Sequence, residues 1–238
     1  MRDEDVLTTI EISTELLLAS VALMTDEQVG EESLLPDWTR GHVLTHVARA
    51  GDSLGRLLDW ARTGVEQPQY ASLAARDAEI EAGAGRGIAE LAADVRASGD
   101  AFEARVRALP VEAWEVPVRT RTGEVCTAGR VVFIRLRELE VHHVDLDAGY
   151  RFADIPVEVA TAVIDDILSA VGARQGREAV APVRLAATDV EVERELGVGG
   201  PLVTGSQAEL LGWLSGRLDG SGLTVVGADQ VPAAPHWL

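Results

Sequence analysis

Between Thr39 and Gly64 the chain reads "TRGHVLTHVARAGDSLGRLLDWARTG", with a capping threonine at one end and a glycine stop at the other. A threonine there can accept from the first free N–H groups of a helix, and a glycine can turn left-handed past its last carbonyls. The spelling therefore predicts one long helix. A helix of that length hides its apolar stripe only against other elements, so the neighbouring segments decide the fold.

Those neighbours are also helical. Residues 3–24 place Leu7, Ile10, Leu17, Val21 and Met24 near a 3.6-residue period, with Val6 and Leu18 widening the stripe. After the loop "VEQPQYASLAAR" an Ala/Glu-rich region runs to Pro110, broken and restarted at "GAGRG" because glycine is costly inside helices. "EVPVRTRTGEVC" alternates around Thr-Gly and predicts a small hairpin over 115–126, followed by a fourth main helix over 127–148. Residues 1–150 thus read as a helix-bundle domain.

The pattern changes after Tyr150. A helix entered at Pro156 and ending at Gly176 precedes the alternating runs "PVRLAATD" and "VEVEREL". A helix capped by Ser206 follows, and "LTVVG" closes the set. This α-β-β-α-β order predicts a smaller α+β domain over 153–238, making the whole chain α+β.

Composition narrows the function. With 39 acidic against 21 basic residues the formal charge is −18, which repels a phosphate backbone and argues against nucleic-acid binding. An anionic substrate would need a local cation. No apolar run approaches the roughly 18 residues of a membrane span, and "MRDEDVLTTI" is acidic where a secretory signal is basic. Cys126 is the single cysteine, which excludes an internal disulfide and a Cys-rich zinc finger. These features predict a cytoplasmic location without a membrane partner; no motif encodes an oligomeric state.

The chemistry-bearing residues are the histidines. Four of the five fall in two helices: His42 and His46 at i and i+4, and His142 and His143 in "RELEVHHVDLDAG". Residues four apart share a helix face, so Glu138 pairs with His142, joined there by Arg135 and Asp145. His143 is turned about 100° away. Two imidazoles and a carboxylate projecting into a bundle suit a divalent metal with an open position, zinc first among the choices. The same spacing also describes an ordinary polar helix face, and spacing does not choose between His42 and His46.

"SLLPDWTRGHVLTHVA", "LLDWARTGVEQPQY", "RDAEIEAGA", "RELEVHHVDLDAG" and the tail "PAAPHWL" together resemble the mycothiol-dependent maleylpyruvate isomerase family, a group of DinB-like metal-binding four-helix bundles. The resemblance implies that His46, Glu138 and His142 hold Zn2+ or another divalent metal. His42 becomes a pocket residue near the cofactor, and Asp145 a candidate for orienting a ligand. It implies mycothiol as thiol cosubstrate. Arg217 in "WLSGRLDG" matches the family's arginine needed for activity; read by itself it is also a favourable cation at a helix C-terminus. The implied reaction is cis–trans isomerisation of maleylpyruvate to fumarylpyruvate by thiolate addition and elimination. Cys126, outside these motifs, reads as an inert packing residue. A mycothiol S-transferase and a non-catalytic metal-binding protein are the alternatives on the same scaffold.

Overall fold

The computed structural model describes residues 3–173 and 181–234, with side chains from Val6 onward. The chain divides into two compact units, residues 1–150 and 151–238.

The first unit is helical. Its elements are α1 (Asp3–Val21), the single turn α2 (Asp26–Val29), α3 (Arg40–Thr63), α4 (Leu73–Ala84), α5 (Ile88–Arg107) and α6 (Ala128–Asp145). The long helices α1, α3, α5 and α6 pack into the expected bundle. A two-stranded hairpin, β1 (Val118–Arg119) and β2 (Val125–Cys126), stands between α5 and α6 with Val118 opposite Cys126.

α3 is the centre of this unit, and its ends are made as the sequence requires. The Thr39 hydroxyl accepts from His42 N, while Thr39 N donates to His42 Nδ1 at 3.1 Å, so the residue three past the cap closes the box. At the other end Gly64 adopts φ 71° and donates to the Trp60 carbonyl at 2.8 Å. Along its length Val43, Leu44, Val47, Leu54, Leu57 and Leu58 are almost wholly buried. Each such side chain contributes about 1.5–3 kcal/mol of apolar burial.

α4 lies against α3 at a distance only glycine allows. A Cβ on Gly41 would stand 2.0 Å from the Ala84 carbonyl oxygen, and one on Gly83 would stand 2.4 Å from Thr45 Cγ2. These two bare surfaces let the helix backbones meet, and that contact carries α4 close to His46.

Two boundaries differ from the sequence expectation. The first helix stops at Val21 rather than running to residue 24, because Thr25 starts a new capped turn with Gln28. α6 stops at Asp145 rather than 148; Leu146 closes it and Asp147 turns left-handed at φ 50°. Arg135 also departs from its expected place. It is fully buried in the bundle, donates to the Val47 carbonyl at 2.7 Å and lies over the Phe102 ring instead of joining Glu138. Gly51 leaves room for its guanidinium.

The second unit comprises α7 (Val157–Gly172), β3 (Val183–Ala187), β4 (Glu193–Leu196), β5 (Leu202–Gly205), α8 (Gln207–Leu214) and β6 (Thr224–Val226). Its sheet has the order β4-β3-β5-β6, with β3 and β5 parallel and the other pairs antiparallel. The order is α-β-β-β-α-β, one strand more than expected. The extra strand is β5, whose four residues between Pro201 and the α8 cap carry too short a pattern to read, and whose partner β3 lies beyond an intervening strand. Ser206 and Glu209 close the expected cap on α8. Gly176, the expected end of α7, and the "PHWL" part of the tail lie outside the described residues.

Candidate metal centre

α3 and α6 carry three side chains to one point. His46 Nε2 stands 3.1 Å from Glu138 Oε2 and 3.1 Å from His142 Nε2, and His142 Nε2 stands 3.2 Å from the same Glu138 oxygen. One atom from each of the three thus meets in a small triangle. Donors held at about 2.0–2.2 Å from one zinc ion lie roughly 3–3.5 Å apart, so the triangle fits a divalent cation. It is the one group of three potential ligands found among the described residues.

The supports around the triangle set its charge and tautomers. Asp145 is fully buried, and its Oδ2 lies 2.8 Å from His142 Nδ1. A carboxylate there holds the proton on Nδ1 and leaves the Nε2 lone pair for the centre. Burial opposes a charge on His142, but its hydrogen bonds to Asp145 and Glu138 outweigh that and raise its pKa. His46 goes the other way: burial first, then the neighbouring His142, pull it down to about 4, so it is a neutral donor near pH 7. Glu138 is buried too, yet its polar contacts with both histidines and the Arg137 charge hold its carboxyl well below the usual range. Arg137 Nη2 binds the other oxygen, Oε1, at 3.0 Å, leaving Oε2 for the triangle.

His46 and His142 face each other from α3 and α6, and the segment before α3 holds His46 in place. Leu34 N donates to the Asp145 carbonyl and Arg40 Nε to the Leu146 carbonyl, tying residues 33–40 to the end of α6. Asp37, at φ 64°, turns the chain there. Trp38 then meets His46 edge-on, with ring centroids 5.4 Å apart, and stacks on His42 at 6.1 Å.

His42 is not part of the triangle. Its Nδ1 is taken by the Thr39 cap and its Nε2 faces the exposed Glu81 at 3.1 Å. His143 points to another face of α6, where Nε2 lies 2.7 Å from Ser20 Oγ and the ring stacks on Tyr150 at 3.9 Å. Arg217 lies just past α8 in the second unit. Gly216 takes φ 76° there, and Arg217 Nη1 donates to the Ser215 carbonyl at 2.6 Å. Cys126 is buried, and burial together with Glu124 pushes its thiol up to about 11. A thiol so protonated is a poor nucleophile.

Three neighbours escaped the sequence reading. Arg137 sits inside the quoted motif beside Glu138, where its adjacency was the available signal. Arg76, the first residue of "RDAEIEAGA", brings Nη2 to 3.4 Å from His46 Nδ1. Trp38 is the third, and its tryptophan in "PDWTR" gave no local reason to face a histidine.

Residues 10–147 match the mycothiol maleylpyruvate isomerase N-terminal domain family. The chain belongs to that family. A crystal structure of the mycothiol-dependent maleylpyruvate isomerase is similar over 100% of this chain and 98% of its own, with a TM-score of 0.89 and 29% identity. The structure of a histidine-to-alanine mutant of that isomerase is similar over the same shares, with a TM-score of 0.89 and 28% identity. No match was found among curated proteins. Among the described residues of this family member no helix is long and apolar enough to cross a membrane.

Proposed function

We propose that this family member is a mycothiol-dependent cis–trans isomerase that converts maleylpyruvate to fumarylpyruvate, with zinc held by His46, Glu138 and His142. The observation that carries the reading is the triangle of three ligand atoms, 3.1–3.2 Å apart, in a chain similar over its full length to such an isomerase.

Rotation about a carbon–carbon double bond requires its π bond to be removed and restored. A thiolate adds to the alkene carbon β to the keto group, the π electrons move to the keto oxygen as an enolate, the bond that was double turns as a single bond, and collapse of the enolate expels the thiolate and leaves the trans alkene. His46, Glu138 and His142 would hold a divalent cation, which would supply Lewis acidity favouring the thiolate form of mycothiol at neutral pH.

The chain's own residues prepare that chemistry. Asp145 fixes His142 in the tautomer that offers Nε2, and Arg137 holds Glu138 ionised with Oε2 free. Trp38 packs beside His46 and limits the orientations of its ring. Cys126 does not compete as the thiol, being buried and protonated. On the family motif alone, Arg217 is assigned to a substrate carboxylate or to the enolate oxygen, where a guanidinium fork suits the charge.

Incubating the protein with mycothiol and maleylpyruvate tests the proposal directly. Fumarylpyruvate should form, and a thiol-free control should form none. A stable thiol conjugate without fumarylpyruvate would instead indicate an S-transferase. Bound metal without either product would indicate a non-catalytic metal protein.

A further inference from the structure

We propose that Arg76 is an anion-binding residue of this centre, additional to Arg217, gripping a carboxylate of the substrate beside the metal. The inference rests on the metal-site reading above. Arg76 reaches the centre from α4, through the close approach that Gly41 and Gly83 permit. Its guanidinium is largely buried, and its Nη2 lies 3.4 Å from His46 Nδ1.

Proton counting makes that contact incomplete once a cation is bound. A neutral imidazole has one N–H. When Nε2 gives its lone pair to a cation, the proton of His46 sits on Nδ1 and faces a guanidinium N–H. Two donors then oppose each other, and an acceptor is required. The Arg76 Nε is already buried without a hydrogen-bond partner among the described residues. A buried donor left unpaired is costly, so this edge of the guanidinium favours an incoming oxygen.

The two nitrogens in question, Nε and Nη2, form one edge of the guanidinium, the fork that binds a carboxylate through two parallel hydrogen bonds. Nη1 on the remaining side is occupied by Asp77 at 2.8 Å. Asp77 is well exposed, so water screens that pair and most of the Arg76 charge is uncompensated. The charges of Glu138 and Asp145 are meanwhile offset by the cation and Arg137. In a chain of formal charge −18, a cation directed at the centre is the group an anionic oxo acid needs.

The test uses the full chain loaded with zinc and maleate as a dicarboxylate probe, with calorimetry for maleate and chelator competition for zinc. Arg76→Met should weaken maleate binding at least about tenfold, and Arg76→Lys should restore part of it through a single ionic contact. Zinc affinity should stay within about twofold in both, since a guanidinium has no acceptor for the His46 Nδ1 proton and so does not orient that ring as a ligand. In turnover assays Arg76→Met should raise KM more than it lowers kcat. Unchanged maleate binding in a folded Arg76→Met protein overturns the proposal. So does a selective loss of zinc, which would make Arg76 a support for His46. A wild-type protein that takes up no zinc overturns the metal reading itself, and the zinc titration reveals this before maleate is added.

Discussion

Asp145 Oδ2 lies 2.8 Å from His142 Nδ1, and this single hydrogen bond decides which ring nitrogen of His142 faces the centre. Asn at position 145 keeps the size but can donate to Nδ1 instead of accepting from it, so the ring loses its enforced tautomer. Asp145→Asn should lower metal affinity about 10–100-fold, measured by chelator competition. Equal affinity in a variant of normal thermal stability would show that the carboxylate does not orient the ligand.

His143 separates the metal account from a general role for the double histidine. Its ring stacks on Tyr150 and meets Ser20, away from the triangle. His143→Ala should cost about 1–2 kcal/mol in denaturant unfolding yet keep full metal stoichiometry. His142→Ala should lose the metal. Elemental analysis of the two purified variants checks the contrast.

Cys126 gives a pH prediction. Its thiol has an ordinary pKa of 9.0 when unfolded and about 11 in the fold, because burial disfavours the thiolate. The unfolded state therefore loses its proton first as the pH rises. The stabilisation is fully present below pH 9.0 and is lost towards about 11, on the order of 2 kcal/mol in all. Native protein at pH 8 should resist iodoacetamide, while protein unfolded in urea reacts. Cys126→Ala should flatten the alkaline fall in stability; fast alkylation of the native chain would contradict the assignment.

Much of the bundle was legible because its signals are local. Thr39 and Gly64 flank the helix they bound and His42 lies in its first turn, and the 3.6-residue period alone separates His143 from the Glu138–His142 face. The choice between His42 and His46 was not legible from spacing. Both rings project from one side of α3, and what distinguishes them is that His42 sits three residues past the cap and gives its Nδ1 to Thr39. Arg76 was legible only as part of a motif, since its approach to His46 depends on how α4 crosses α3 at Gly41 and Gly83. β5 failed for a related reason: four residues hold no period of their own, and parallel pairing with β3 supplies the order.

On the proposed function, Glu138 completes a metal site on which isomerisation depends. The most direct test compares bound metal and mycothiol-dependent turnover of maleylpyruvate in the wild-type chain and in Glu138→Ala, both checked for folding by circular dichroism. The wild-type chain should hold about one divalent metal and turn over, and a folded Glu138→Ala protein should lose both. A folded Glu138→Ala protein that retains its metal and its activity would contradict that role.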